Sequence, residues 1–145
     1  MTYIVGQGRR TDYRQPVSSV EELDAALDYL TEKARREGMC YSVGVARQGD
    51  RGKYHFVGFD IGIGHPERSF FWAYGTPDST GYAFQPELSE WPDEIVFDVG
   101  GQASWYEPAR TRVTPAVARK AAREFFGTEQ LPTCVSWPGP DPVTA

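Results

Sequence analysis

The sequence predicts an α+β fold in which a mainly antiparallel sheet of about four to six strands carries two main helices. Two capped stretches of helical period, near residues 19–37 and 115–126, bracket a segment from Tyr41 to Val99 whose apolar residues alternate with period two. The chain has 145 residues, 40% of them hydrophobic and 24% charged, a size suited to one core, so residues 1–145 are expected to form a single domain. Twenty aromatic residues exclude a disordered chain, while 15 Gly and 11 Pro call for many turns.

The first helix follows Pro16. Ser18 or Ser19 can cap it, Glu21 or Glu22 completes a capping box, and Val20, Leu23, Leu27, Leu30 and Ala34 recur at helical spacing. Acidic residues fill its first half, Lys33, Arg35 and Arg36 its last turns, and Gly38 suits a left-handed end, so this charge pattern is structural. Strands are then expected around Tyr41–Val45, Val57–Ile63, Phe70–Tyr74 and Ile95–Val99. Gln48–Gly52 reads as a hairpin turn and Gly64–Glu67 as the next turn. Residues 75–93, with Pro77, Pro86 and Pro92 and little periodicity, read as a long loop, a feature more often functional than idle. Thr114 and Pro115 open the second helix, Val117, Ala121, Ala122, Phe125 and Phe126 face inward, and Gly127 is expected to end it. Leu131–Trp137 is expected as an edge strand, Phe125 and Trp137 as buried, and residues 138–145 as a frayed tail.

Few residues carry chemistry. His55 and His65 are the only histidines, neither sits beside a nucleophile motif, and both read as surface or partly packed rings. Asp60, His65 and Glu67 lack any metal-ligand spacing, so no metal is expected. Gly58, Gly62 and Gly64 alternate with large residues and precede no helix, which makes them structural glycines rather than a phosphate cradle. Cys40 and Cys134 form no metal motif and read as reduced thiols. The basic residues at Arg9 and Arg10 follow a very short apolar run, the reverse of a signal peptide, and no run is long enough to span a membrane, so a cytoplasmic protein is expected. No catalytic residue and no cofactor is assigned.

Charge is more informative. The net charge of −5 disfavours direct nucleic-acid binding, and it is unevenly spread: residues 1–59 carry +1, residues 60–109 carry −8 and residues 110–145 carry +2. The acidic segment also holds ten of the twenty aromatic residues. Rings surrounded by carboxylates suit capture of a basic protein surface, since rings supply contact area and charges steer encounter. Trp72, Tyr82, Trp91, Trp105 and Tyr106 are therefore candidate anchors, and Asp78, Glu87, Glu90, Asp93 and Glu94 the charges around them. Phe70, Trp72 and Phe97 are also readable as plain core rings; Tyr82 and Trp91, in the loop, are harder to bury.

The stretch Val113-Thr114-Pro115-Ala116-Val117-Ala118-Arg119-Lys120-Ala121-Ala122-Arg123-Glu124-Phe125-Phe126, followed by Pro132 and Val135-Ser136-Trp137, resembles the bacterial immunity proteins paired with deaminase toxins of polymorphic and interbacterial toxin systems. Val17–Leu23 is similar to that family's entry into its first helix. The resemblance implies a small, non-enzymatic α+β protein that binds a cognate toxin, a nucleic-acid deaminase, and blocks its active site. The matched residues are scaffold, so the resemblance itself assigns no contact residue. A second reading stays open, a small-molecule-binding domain or enzyme with an aromatic-lined pocket on the sheet.

Overall fold

The computed structural model describes residues 1–9, 12–49, 57–76 and 78–139. Its elements are β1 (Tyr3–Gln7), β2 (Tyr13–Val17), α1 (Val20–Glu37), β3 (Tyr41–Arg47), β4 (Gly58–Ile63), β5 (Phe71–Tyr74), β6 (Ile95–Val99), β7 (Gln102–Tyr106), a 3-10 turn at Pro108–Arg110, and α2 (Pro115–Thr128). The fold is α+β, as the alternating and helical periods required. Five strands lie in the order β2-β1-β3-β4-β5, each antiparallel to its neighbour. The β6–β7 hairpin joins through a single parallel pair, Tyr41 with Asp98.

Both helices form for the local reasons the sequence supplies. The Ser19 hydroxyl accepts the Glu22 amide at 3.1 Å, and Gly38 closes α1 in the left-handed region at φ 63°. The Thr114 hydroxyl accepts the Val117 amide at 3.3 Å to start α2. That helix runs past Gly127, and Glu129 turns it off at φ 56°. Glu129 can hold this conformation because its amide donates to the Phe125 carbonyl at 2.7 Å while its carboxylate accepts from Tyr3 and Arg47.

One face of the sheet meets the helices. Tyr3 and Val5 from β1, Tyr41, Val43 and Val45 from β3, Phe59 and Ile61 from β4, and Phe71 and Ala73 from β5 pack with Leu23, Leu27, Leu30, Ala118, Ala122 and Phe125. Phe125 is fully buried and sits edge-on to Phe59, with ring centroids 5.5 Å apart. A smaller core of Phe70, Ile95 and Phe97 lies on the opposite face, under the β6–β7 hairpin, with Tyr82, Trp91 and Tyr106 packed against it. Gly62 makes this possible: a Cβ there would stand 2.7 Å from Phe70 and 2.8 Å from Phe97.

Several expectations change. β1, β2 and β7 were not among the expected strands, and they bring the sheet to seven. β2 contains Pro16 and buries only Val17, and β7 buries no residue, so neither shows an alternating apolar pattern. Leu131–Trp137 is not a strand; Ser136 alone bridges Phe84, through hydrogen bonds of 2.8 and 2.9 Å. Thr133, Cys134 and Val135 bend the segment instead, and Trp137 is half-buried, its indole donating to the Pro132 carbonyl at 3.0 Å. The Pro138 carbonyl accepts from the Thr80 hydroxyl. The rest of the expected tail from Pro140 onward, His55, and most of the expected Gln48–Gly52 turn lie outside the described residues.

Candidate functional site

Strand alternation sends one set of side chains to the helices and the other to the opposite face, part of which lies under the β6–β7 hairpin. On that face the register aligns one cross-strand row. Arg14 on β2 stands opposite Gly6 on β1, Gly6 opposite Gly44 on β3, Gly44 opposite Asp60 on β4, and Asp60 opposite Trp72 on β5. Trp72 bridges onward to Tyr82. The row encloses a shallow trough of about 320 Å³ whose floor includes Gly6, Gly44 and Ala46 and whose sides include Arg14, Asp60 and Tyr74.

The aromatic wall is continuous. Trp72 meets Tyr74 edge-on at 5.6 Å and stacks on Tyr82 at 6.0 Å, and Tyr82 meets Tyr106 at 6.2 Å. Tyr106 in turn stacks on Phe70 at 4.4 Å. Trp72 is 38% exposed, so the wall presents a ring to solvent while resting on the smaller core. Arg110 covers Tyr82 at 5.2 Å. Burial pushes the Asp60 carboxyl up to about 6, and the Tyr74 hydroxyl, which favours the charged form, offsets only part of this. No arginine or lysine among the described residues pairs with Asp60.

The ten residues singled out from sequence fall into three places. Trp72, Tyr82 and Tyr106 share the wall. Trp105 points from the outer side of the β6–β7 hairpin, 63% exposed and directly opposite Val96, itself 41% exposed. Asp78, Glu87, Glu90, Asp93 and Glu94 are all exposed on the 75–94 segment, and Trp91 is half-buried there. Trp91 sits edge-on to His65 at 5.1 Å, with the Arg68 guanidinium 5.1 Å from its ring. The basic groups of this region turn inward: Arg68 donates to the Ser89 carbonyl at 2.6 Å and Arg112 to the Leu88 carbonyl at 2.9 Å. Its carboxylates stay in solvent.

Sequence reasoning did not single out Gly6, Arg14, Gly44, Asp60 as a site member, or Tyr74. The signal was present in part, because small residues alternate with Tyr41, Val43 and Val45, but only strand register shows that the small sides of β1, β3 and β4 coincide. The arrangement offers no poised chemistry. His65 caps its own turn, its Nδ1 accepting the Glu67 and Arg68 amides at 3.1 and 3.0 Å. Among the described residues no three His, Cys, Asp or Glu side chains converge as a metal site. A second groove, of about 530 Å³ between the helices and the end of β4, is bordered by Thr31, Ile63, Pro115 and Arg119, and Arg119 is already paired with Asp28 at 2.8 Å.

Exposed rings and carboxylates suit a surface that binds another protein. The family model for the immunity protein Imm1 matches residues 12–138. The chain belongs to the Imm1 immunity protein family. Imm1 proteins are non-enzymatic toxin inhibitors, so this chain is an immunity protein with a cognate toxin as its partner. The Imm1 match takes in both helices and all strands except β1. No curated protein and no solved structure matches the chain. Among the described residues, no helix of this Imm1 protein is long and apolar enough to cross a membrane.

Proposed function

We propose that this Imm1 protein protects its producer from a nucleic-acid deaminase toxin by covering the toxin's substrate groove in the cytoplasm. The observation that carries the reading is the family match together with the clustered rings of Trp72, Tyr82 and Tyr106 and the exposed carboxylates of residues 78–94. An enzyme that works on nucleic acid must attract phosphate and is therefore basic around its active site, so an acidic surface can compete where the backbone would lie. The deaminase class is supported by the likeness of Val113–Phe126 and Pro132–Trp137 to immunity proteins of deaminase toxins. Occlusion needs only complementarity, with no acid, base or metal.

The test is co-expression of this chain with the toxin domain encoded beside its gene, scored by cell survival, by co-purification and by sequencing for base changes. Survival, a stable complex and suppressed deamination are expected. A toxin that cleaves phosphodiester bonds instead would overturn the deaminase assignment, and absence of a complex would overturn the binding reading. The alternative of a small molecule bound in an aromatic-lined pocket on the sheet has less support, because the family match is to immunity proteins.

A further inference from the structure

Two glycines in the trough have neither backbone nor a core ring pressed against them. Gly6 and Gly44 lie in strand interiors, where glycine weakens a sheet, and neither has the positive φ that would demand it. A Cβ on Gly6 would first meet the end of the flexible Arg14 side chain at 3.1 Å, and one on Gly44 only the Asp60 carboxyl at 3.3 Å. Gly58 and Gly62 differ: a Cβ on Gly58 would collide with the Val45 carbonyl, and one on Gly62 with two rings. Backbone and core rings thus explain Gly58 and Gly62, whereas Gly6 is overlain only by the flexible Arg14 side chain and Gly44 is approached only by the Asp60 carboxyl.

The walls say what fits over that floor. Asp60 is largely buried and faces the trough with no cation paired to it among the described residues, Tyr74 lines the trough beside it, and Trp72 stands next to Asp60 across the β4–β5 ladder. Arg14 does not serve it, because that guanidinium donates to the Tyr13 and Gln7 carbonyls at 2.5 and 3.3 Å. A carboxylate beside a tyrosine ring, over a floor of glycine and alanine crossed only by the flexible Arg14 side chain, suits a long cationic side chain. Its apolar stem can lie on the glycines, its head can meet the carboxylate, and the ring adds cation–π attraction.

We propose that the trough is a receptor for one arginine or lysine side chain of the cognate toxin, with Gly6 and Gly44 as floor, Asp60 as counter-charge and Tyr74 as the aromatic wall. This rests on the toxin-binding reading above and names the contact at its centre. Covering a basic groove then includes seizing one of its phosphate-binding cations.

The experiment uses the catalytically inactivated toxin domain encoded beside this gene and measures its Kd for full-length wild type, Asp60→Asn, Gly44→Ala and Gly6→Val, each first checked by circular dichroism and melting. Each folded variant is expected to bind at least about tenfold more weakly than wild type. Double-mutant cycles then cross Asp60→Asn with single Ala replacements of the toxin's arginines and lysines. One toxin cation should cost wild type about tenfold or more and cost Asp60→Asn almost nothing. The proposal is overturned if wild type binds and the folded trough variants bind within about twofold of it, or if no toxin cation couples to Asp60. Should Gly44→Ala and Gly6→Val not fold, the Asp60→Asn cycle decides alone. A wild type that does not bind removes the toxin-binding function and the trough's occupant together.

Discussion

At the scale of single residues, Asp60 and His65 pull stability in opposite directions as pH falls. Burial raises the folded Asp60 carboxyl from the ordinary value near 3.8 to about 6. Below 3.8 it is neutral both folded and unfolded, and no penalty arises. As pH rises through this window the unfolded chain loses the proton first, so stability falls and the full penalty stands above pH 6. Its ceiling is about 3 kcal/mol, less to the extent that water enters the trough. Asp60→Asn should therefore melt higher than wild type at pH 7.5, with the gap closing toward pH 4. A variant that melts lower at every pH would mean that the carboxylate is a net structural asset. For His65, burial and then Arg68 hold the imidazole below its ordinary 6.5 against the pull of Glu67, and its Nδ1 must stay unprotonated to accept two amides. It stabilises the fold above pH 6.5 and that contribution is lost as pH falls. His65 acts equally in wild type and in Asp60→Asn, so comparing the two isolates Asp60.

At the scale of elements, Tyr82 and Phe84 of the 75–93 loop bridge to Trp72 and Ser136, whereas its stretch from Gln85 to Trp91 is held largely by arginines. Arg112 reaches the Leu88, Pro86 and Gln85 carbonyls at 2.9, 3.3 and 3.4 Å, while Arg68 takes Ser89 and lies over Trp91. Replacing Arg68 by Met should cost about 1–3 kcal/mol, because carbonyls left without donors in a partly buried setting are not resolvated in full. Amide exchange in residues 85–93 and thermolysin nicking there should both accelerate, with α1 and α2 unaffected. Unchanged exchange would show that the loop is held by Trp91 packing alone. The two helices were legible in the sequence because cap, period and macrodipole charges agree over many residues. β2 and β7 were not, since each shows at most one buried residue, and the segment 131–137 was misread because β-branched and aromatic residues there pack individually.

At the scale of the whole molecule, exposed carboxylates and rings should control different rates of toxin binding. Reversing Glu87, Glu90, Asp93 and Glu94 together should slow association and flatten its salt dependence, since exposed charges act mainly on encounter. Trp72→Ala should instead speed dissociation and cost roughly 2 kcal/mol or more. Surface-binding kinetics at two salt concentrations separate these effects. If neither rate moves in either variant, the interface lies elsewhere, and the α1 surface with the strand pair β1–β2 is the next place to test.

By itself the sequence determined the class of fold, the two helices with their caps, and which residues of each recognised strand share a side, because these follow from local period and backbone preference. It also determined that the negative charge and half the rings belong to residues 60–109. Only the tertiary structure decided which of those residues meet. Trp72, Tyr82 and Tyr106 come together, Trp105 departs to the other side of its hairpin, and Trp91 is held by Arg68 and His65. The trough is the clearest case: Gly6, Gly44 and Asp60 are far apart in the chain, and a slip of one residue in either ladder would separate them. Register is set by pairing between distant strands, so no local pattern contains it.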